Sequence, residues 1–152
     1  IETIMTKALI GAGCFWGIEE YFRKIKGVVS TQVGYSGGNL ENPTYEQVCT
    51  GKTEHAEVVK ILFDDKILSY EEILEYFWLC HDSTQLNRQG FDIGRQYRSV
   101  IFYYSNQQKK EALISKKIKQ NYLSKTIVTE IEEAKKFFIA EEYHQLFIKK
   151  RD

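Results

Sequence analysis

The sequence predicts an α+β fold in which helices cover one face of a mixed β-sheet. The chain has 152 residues, which is long enough to bury a core of its own. Short apolar runs that are typical of strands alternate with stretches whose apolar residues recur every three or four positions. These elements come in the order β, α, β, then β, α, β with a further helix and strand. That order is typical of a two-layer sandwich built from split βαβ, or ferredoxin-like, units.

The first half of the chain predicts a strand, a helix and a second strand. Residues 7–12 form an apolar run, and the residues after Cys14 have the helical period. A second strand over residues 28–35 ends at two glycines. Residues 39–53 are polar and rich in turn formers, so we expect a long ordered loop of the kind that often carries function.

The second half predicts the same order with added elements. Ser69, followed by Glu72 three residues later, predicts the N-terminal cap of a helix that runs to about residue 81. A lysine-rich helix begins at Ser105, and its apolar stripe is expected to face the core: Leu113, Ile114, Ile118 and Tyr122. The other predicted elements are strands over 56–63, 97–104 and 127–131, a loop over 82–96, and a part-helical stretch over 137–147.

Composition restricts the location and the partners. The chain has 21 basic and 21 acidic residues, and a net charge of zero disfavours nucleic acid and anionic membranes as partners. It shows no signal-peptide pattern and no apolar stretch of transmembrane length, so a cytoplasmic location is expected. Its three cysteines form no Cys-x-x-Cys pair, which suits a reducing compartment. We expect one domain over residues 1–152 and a monomer.

Cys14 lies where the first strand gives way to the helix, between Gly13 and the run Phe15, Trp16 and Gly17. A thiol at a helix N-terminus is expected to have a lowered pKa, because free N–H groups and the helix dipole favour the thiolate. The glycines permit a tight turn, and the two aromatic rings could form an apolar wall beside the sulfur. The fragment alone fits a nucleophile and a buried core turn equally well.

Candidates for proton transfer follow the loop over 39–53. His55 and Glu57 lie two residues apart at the start of a strand and so face the same way. A carboxyl group at the mouth of an apolar strand is expected to have a raised pKa, which would make Glu57 a general acid near neutral pH. An exposed strand-end glutamate is the alternative. His144, near the C-terminus, is assigned to the surface or to packing.

Tyr45 and Tyr97 each lie at or near the end of a predicted long loop. Their phenol groups could donate hydrogen bonds to a substrate oxygen. Because the chain has ten tyrosines, simple packing is the alternative for either residue taken alone. Nothing in the pattern itself decides between the two roles.

Six motifs, in order along nearly the whole chain, closely resemble peptide methionine sulfoxide reductase of the A type. They are GCFWG at 13–17, GYSGG at 34–38, NPTYEQVCTG at 42–51, HAEVV at 55–59, FDIGRQYRS at 91–99 and AEEYHQ at 140–145. The resemblance implies an α+β fold with ferredoxin-like elements. It also implies reduction of methionine S-sulfoxide, free or in proteins, to methionine, without a bound cofactor or metal and with an external thiol as reductant.

The resemblance also assigns roles to single residues. Cys14 is implied to be the nucleophile that becomes a sulfenic acid, and Glu57 the acid. Tyr45 and Tyr97 match the donors to the substrate oxygen, and Asp92 matches an aspartate that orients the substrate main chain. The implied substrate-binding residues are Phe15 and Trp16, which form the methyl pocket, and Gly13.

Regeneration of the thiol is the point on which the sequence departs from the resemblance. Many members use cysteines in a C-terminal tail, and here no cysteine follows Cys80. Cys49 and Cys80 are therefore candidate resolving thiols. We favour direct reduction by thioredoxin, glutaredoxin or glutathione, since Cys80 falls in an apolar helix and Cys49 is predicted to be a packed loop thiol. Glu54, Ser83 and Phe91 replace the usual glycine, proline and asparagine, which bears on loop shape.

Three other functions are compatible with part of the pattern. A thiol peroxidase would share the reactive cysteine but would need an arginine near the thiolate. A methionine-binding or redox-sensing module would keep its function after Cys14→Ser. A zinc site is disfavoured because its spacings match no known finger; its ligands would be Cys49, His55, Cys80 and His81.

Overall fold

The computed structural model describes residues 5–151. Its elements, in chain order, are β1 (Met5–Ala12), α1 (Phe15–Arg23), β2 (Val28–Ser36), α2 (Tyr45–Cys49), β3 (Ala56–Asp64), α3 (Tyr70–Leu79), β4 (Arg88–Gln89), β5 (Asp92–Ile93), β6 (Ser99–Tyr103), α4 (Asn106–Gln120), β7 (Glu130–Glu133) and β8 (Phe138–Ile139). Short 3-10 turns cover Arg95–Tyr97, Glu142–His144 and Lys149–Arg151. No helix within this span of the chain is both long and apolar enough to cross a membrane.

A six-stranded sheet forms the centre of the molecule, with the strand order β7-β6-β1-β3-β2-β8. The parallel pair is β6 with β7, and the other neighbours are antiparallel. The sheet is therefore mixed, as the sequence predicts. Strands β4 and β5 form a separate two-stranded ribbon.

Both faces of the central strand β1 are buried. Ala8 and Ile10 face the main core, to which α1, α3 and α4 contribute side chains such as Phe22 and Phe77. Leu9, on the opposite face, belongs to a smaller cluster that the segment after β7 helps to cover. Helices thus cover one face of a mixed sheet, and the predicted α+β sandwich is confirmed.

The predicted cap of α3 is present, and a second cap marks a helix that the sequence reading missed. Ser69 Oγ accepts from the Glu72 N–H, while the Glu72 carboxylate accepts from the Ser69 N–H. Thr44 and Gln47 exchange the same two bonds at the start of α2. This helix lies inside the predicted loop over 39–53, and its Thr-x-x-Gln signature is the signal that could have located it.

Three other predicted boundaries differ from those in the structure, in the second half of the chain. The predicted loop over 82–96 contains the β4–β5 hairpin and a 3-10 turn, so β6 begins at Ser99 and not at Tyr97. The predicted strand over 127–131 is displaced to β7 (Glu130–Glu133). The predicted part-helical stretch over 137–147 contains the short strand β8 and one 3-10 turn.

The expectation about the inner face of α4 is wrong. The apolar side chains predicted to face the core are largely exposed: Leu113 by 48%, Ile114 by 60%, Ile118 by 53% and Tyr122 by 80%. The helix instead buries Ala112 and Gln108, whose side-chain amide donates to the Lys7 carbonyl over 2.8 Å. Ser115, on the same face, accepts from Trp78 Nε1 at 2.7 Å. Hydrogen bonds to neighbouring elements therefore set the rotation of α4.

Candidate active site

The turn between β1 and α1 places Cys14 at the N-cap of the helix, where its side chain is half-buried. Gly13 makes this turn with a φ of 104°, in the left-handed region that favours glycine. A Cβ added at Gly13 would lie 2.9 Å from the Cβ of Gln89. Space and backbone angle together require glycine before the cysteine.

The pKa of the Cys14 thiol is not lowered, contrary to the expectation from its position on the helix. Burial, and then the charge of Glu57, raise this pKa to about 11. The N–H groups of Trp16 and Gly17 act in the opposite direction but are outweighed. The thiol is therefore protonated at neutral pH in the free protein.

Glu57 is a buried acid at the start of β3, only 1% exposed. Its Oε1 accepts a hydrogen bond of 3.2 Å from the Phe15 N–H, and its Oε2 is buried with no hydrogen-bond partner. Burial raises the pKa of this carboxyl group to about 8, as expected for an acid that is protonated at neutral pH. The Phe15 N–H bond joins the acid directly to the residue that follows Cys14.

The two candidate tyrosines and Asp92 lie within electrostatic reach of this acid. Burial, then the charges of Glu57, Cys49, Asp92 and Cys14, raise the pKa of Tyr97. Burial also raises the pKa of Tyr45, with contributions from Cys49 and then Glu57. Asp92 is exposed on β5, opposite Gln89. The structure thus places both phenols and the exposed carboxylate near the acid, and it places Tyr97 and Asp92 near the thiol as well. 

Aromatic side chains form a wall beside the thiol. Phe15 is fully buried and its ring centre lies 6.4 Å from that of Tyr45, at an interplanar angle of 22°. Trp16 is partly exposed and also lies 6.4 Å from Tyr45. Apolar rings on the two residues that follow the cysteine suit the binding of a small apolar group such as a methyl.

His144 lies behind this wall, so of the two roles assigned to it, surface or packing, it has the packing role. The residue is completely buried, and its Nδ1 accepts from Trp16 Nε1 over 2.8 Å. Its ring lies 4.4 Å from Tyr45, and burial lowers its pKa, so the imidazole is neutral at pH 7. An accepting Nδ1 puts the proton on Nε2, which is buried without a partner. His144 fixes the Trp16 ring.

Glu141 is a further contributor that the sequence reading did not single out. Its carboxylate accepts from the Tyr35 hydroxyl at 2.9 Å and from the Tyr45 N–H at 3.0 Å. It thereby fixes the first residue of α2 to the C-terminal segment. The signal was present, because Glu141 and His144 both belong to the AEEYHQ motif, but their contacts are distant in sequence.

The two candidate resolving thiols have different surroundings. Cys49 is exposed at the end of α2, so the expectation that it is packed is wrong. It is within electrostatic reach of Glu57 and Glu141. Cys80 follows α3, and its Sγ lies 3.2 Å from the Phe77 carbonyl oxygen, to which it donates. Cys49 is therefore near the cluster around Cys14, whereas the polar contacts of Cys80 are with its own helix and His81.

The remaining candidate residue, His55, has a structural role. Its Nδ1 accepts from the Gly38 N–H at 3.0 Å, and its Nε2 lies 2.6 Å from the Leu40 carbonyl oxygen. Across residues 5–151, no group of three or more histidine, cysteine, aspartate and glutamate side chains is placed to hold a metal ion. His55 therefore shapes the loop before β3.

Comparison with known proteins gives one consistent result. The family model described as peptide methionine sulfoxide reductase matches residues 6–152. The peptide methionine sulfoxide reductase MsrA of Methanothermobacter thermautotrophicus is 56% identical over 146 residues, which is 95% of this chain and 86% of that protein. The reduced form of Saccharomyces cerevisiae Mxr1 superposes with a TM-score of 0.92 and 36% identity, over 96% of this chain and 85% of the other. Mxr1 in complex with Trx2 matches with a TM-score of 0.68 and 26% identity, over 95% and 88% of the two chains.

The fold is that of an oxidoreductase whose reductant is an external thiol. The family model and the relatives specify which one. The chain belongs to the peptide methionine sulfoxide reductase family, A type, and reduces methionine sulfoxide to methionine.

Proposed function

We propose that Cys14 attacks the sulfur of methionine S-sulfoxide while Glu57 protonates the departing oxygen. The observation that carries this proposal is the 3.2 Å bond from the Phe15 N–H to Glu57 Oε1, which fixes a buried acid beside the residue that follows the thiol. With a pKa of about 8, Glu57 holds its proton at neutral pH. A sulfoxide oxygen leaves readily only when protonated.

The proposed reaction balances in atoms and protons with the groups of Cys14, Glu57 and the sulfoxide. The Cys14 sulfur forms a bond to the substrate sulfur as the oxygen takes the Glu57 proton, and the oxygen then passes to Cys14. The products are methionine and a Cys14 sulfenic acid, and the thiol proton restores Glu57. The free thiol has a pKa of about 11, so it still carries its proton when the substrate binds. That proton leaves during the attack, when Glu57 has given its own proton to the oxygen and can accept another as a carboxylate.

Tyr45 and Tyr97 donate hydrogen bonds to the sulfoxide oxygen in this proposal. Burial raises the pKa of both phenols, so both keep their protons and remain donors. Phe15 and Trp16 hold the methyl group, which presents one face of the sulfur to Cys14 and selects the S epimer. Asp92 and the Gly13 turn orient the substrate main chain.

An external thiol regenerates Cys14. The half-buried position of its side chain leaves the sulfur accessible, and the complex of Mxr1 with Trx2 supports a thioredoxin as reductant. Cys80 is directed at the Phe77 carbonyl and is not suited to resolve a sulfenic acid at Cys14. A cytoplasmic setting, where thiol reductants keep cysteines reduced, fits the three free thiols. We propose that residues 1–152 act as one catalytic domain and as a monomer.

The test is turnover of each methionine sulfoxide epimer with dithiothreitol, glutathione or thioredoxin. We expect the S epimer to be reduced by the wild type and not by Cys14→Ser. The double variant Cys49→Ser/Cys80→Ser should retain activity with all three reductants. Loss of thioredoxin-linked activity in that double variant would contradict direct reduction. Consumption of peroxide without turnover of sulfoxide would contradict the proposed reaction.

A further inference from the structure

The hairpin of β4 and β5 forms one rim of the active site. Gln89 on β4 packs against the Gly13 turn, and its cross-strand partner Asp92 is close enough to Cys14 and Glu57 to raise the pKa of each. A polypeptide whose methionine sulfoxide reaches Cys14 would therefore have this hairpin as a neighbour.

Hydrogen bonds hold the hairpin in a fixed shape. The Gln89 side chain accepts from the Asp82 N–H and donates to the Asp82 carbonyl, both at 2.9 Å. The Gly90 N–H donates to Gln85 Oε1, also at 2.9 Å. Arg88 donates through Nε and Nη2 to the Gly90 carbonyl. A surface held in this way can bind a ligand with little loss of conformational freedom.

A groove of about 440 Å³ lies on the other side of the hairpin. Cross-strand pairs alternate between the two faces of a ribbon, so Arg88 lies on the face opposite to Gln89 and Asp92. Phe91, at the hairpin turn, lines the groove and is fully exposed. A ligand in the groove could therefore pack against this exposed ring.

The charged side chains that line the groove give it a net positive charge. Arg88 and Lys125 line it, together with one acid, Asp82. The Asp82 carboxylate already accepts three hydrogen bonds, from the Thr84 N–H, the Thr84 hydroxyl and the Gln85 amide. Lys125 is also within electrostatic reach of Asp82. Two cations against one acid leave the groove with a net positive charge, which a carboxylate from outside would complement.

We propose that this groove binds the polypeptide around the reacting methionine sulfoxide, through an acidic side chain that pairs with Arg88 and Lys125 while its neighbours pack on Phe91. The inference rests on the proposed reaction at Cys14 and names its substrate class, which is methionine sulfoxide in an extended, acidic segment of a protein. Three residues of extended chain span roughly 10 Å, enough to cross a two-stranded hairpin.

The test compares three peptides in which glutamate, glutamine or lysine lies two and three residues from methionine sulfoxide on both sides. Free methionine sulfoxide is the fourth substrate. For the wild type at low salt, kcat/KM should be about 3- to 10-fold higher for the glutamate peptide than for the glutamine peptide, and lowest for lysine. The preference should shrink as ionic strength rises.

Lys125→Glu is the decisive variant, since Arg88 also holds the hairpin turn and Lys125 does not. We expect it to reverse the order of the glutamate and lysine peptides. Lys110→Glu on exposed α4 makes the same change of charge away from the groove and should keep the wild-type order. Phe91→Ser should lower kcat/KM for all peptides about 3-fold relative to free methionine sulfoxide, whereas Ile114→Ser should not.

The inference would be overturned if the ratio of kcat/KM for the glutamate and lysine peptides were the same in the wild type and in Lys125→Glu. It would also be overturned if Lys110→Glu changed this ratio as much as Lys125→Glu does. Turnover of free methionine sulfoxide with no peptide preference would overturn the groove and leave the reaction at Cys14 intact. Absence of turnover of every substrate would overturn the proposed reaction, and this inference with it.

Discussion

Two half-buried cysteines, each at the end of a helix, have different surroundings. Cys14 is the N-cap of α1, where the N–H groups of Trp16 and Gly17 lie near the sulfur. Cys80 follows the last turn of α3, and its thiol donates to the Phe77 carbonyl at 3.2 Å. One sulfur is placed among hydrogen-bond donors and the other against an acceptor.

Thiol acidity does not separate these two sites. Burial is the main cause that raises the pKa of Cys14 to about 11 and that of Cys80 to about 12. What differs is the set of neighbours, since Cys14 has a protonated Glu57 nearby, whereas Cys80 has His81, whose pKa burial lowers to about 4. In the proposed mechanism, the reactivity of Cys14 therefore comes from the neighbouring acid Glu57 more than from the resting state of the thiol.

Substitution of the two cysteines should give the largest difference in turnover between the two sites. Cys14→Ser should lower turnover of methionine sulfoxide by about 10⁴-fold or more, because a hydroxyl cannot carry the oxygen away. Cys80→Ser should stay within about 2-fold, since serine can also donate to the Phe77 carbonyl. Its cost should be on the order of 1 kcal/mol in the free energy of unfolding. Chromatography of the methionine formed and urea unfolding measure the two effects, and equal losses of turnover would remove the distinction.

Removal of the acid should have the next largest effect. Glu57→Gln should lower kcat/KM by about 10²- to 10³-fold at pH 7, because the amide cannot protonate the oxygen. In the wild type, kcat/KM should fall above about pH 8, as Glu57 loses its proton. This alkaline limb should be absent from the pH profile of the variant. A limb that persists near pH 8 in Glu57→Gln would assign it to another group.

The same acid predicts how stability depends on pH. The pKa of Glu57 is raised in the folded chain from 4.5 to about 8, so its contribution is fully present below pH 4.5 and is lost as pH rises through 8. Relative to the wild type, Glu57→Gln should therefore become steadily more stable between about pH 5 and 8 and then level off. Urea unfolding of both proteins across this range measures the difference, and a difference independent of pH would contradict the raised pKa.

Removal of a phenol group near Cys14 should lower kcat, by a smaller factor than loss of the acid, and removal of one near Cys80 should not. Tyr45→Phe and Tyr97→Phe should each lower kcat by about 10-fold, and the double variant by more, because two donors share one oxygen. Tyr21 and Tyr76, whose rings lie 6.2 Å apart near Cys80, provide the matched controls. Their phenylalanine variants should keep kcat within about 2-fold. A large loss in either control would show that tyrosine substitutions act through the fold.

The two tryptophans should show the smallest effect. Trp16→Phe removes the donor to His144 Nδ1 and part of the methyl pocket, so KM should rise about 10-fold with a smaller change in kcat. Trp78→Phe removes the 2.7 Å bond to Ser115 and should cost about 1 kcal/mol in stability with KM unchanged. Steady-state kinetics measure the change in KM, and thermal unfolding measures the change in stability. If both variants raised KM, or both lowered stability alone, the two tryptophans would not have the separate roles described here.

Much of this contrast could be predicted from the sequence. The apolar run of β1, the glycine turn and the helical period after Cys14 located the thiol at a helix N-terminus. The capping pair Ser69 and Glu72 located α3, and with it Cys80. Glu57 could be predicted to be a weak acid because it opens an apolar strand. These inferences succeeded because each depends on residues within a few positions of one another.

The parts that could not be predicted depend on contacts distant in sequence. His144 is buried because it accepts from Trp16, 128 residues earlier. The rotation of α4 follows from the bond of Gln108 to Lys7, which its apolar stripe does not reveal. The pKa of Cys14 depends on burial and on Glu57, which together outweigh the local helix terminus. Tertiary packing decided each of these cases.

A single turnover without reductant tests the central claim, that Cys14 alone receives the oxygen. Enzyme mixed with excess methionine S-sulfoxide should form one methionine per chain, and mass spectrometry should find one added oxygen on the peptide that contains Cys14, which dimedone traps as a sulfenic acid. The peptides with Cys49 and Cys80 should be unchanged. Methionine formed with the oxygen on another cysteine, or formed equally well by Cys14→Ser, would contradict the account.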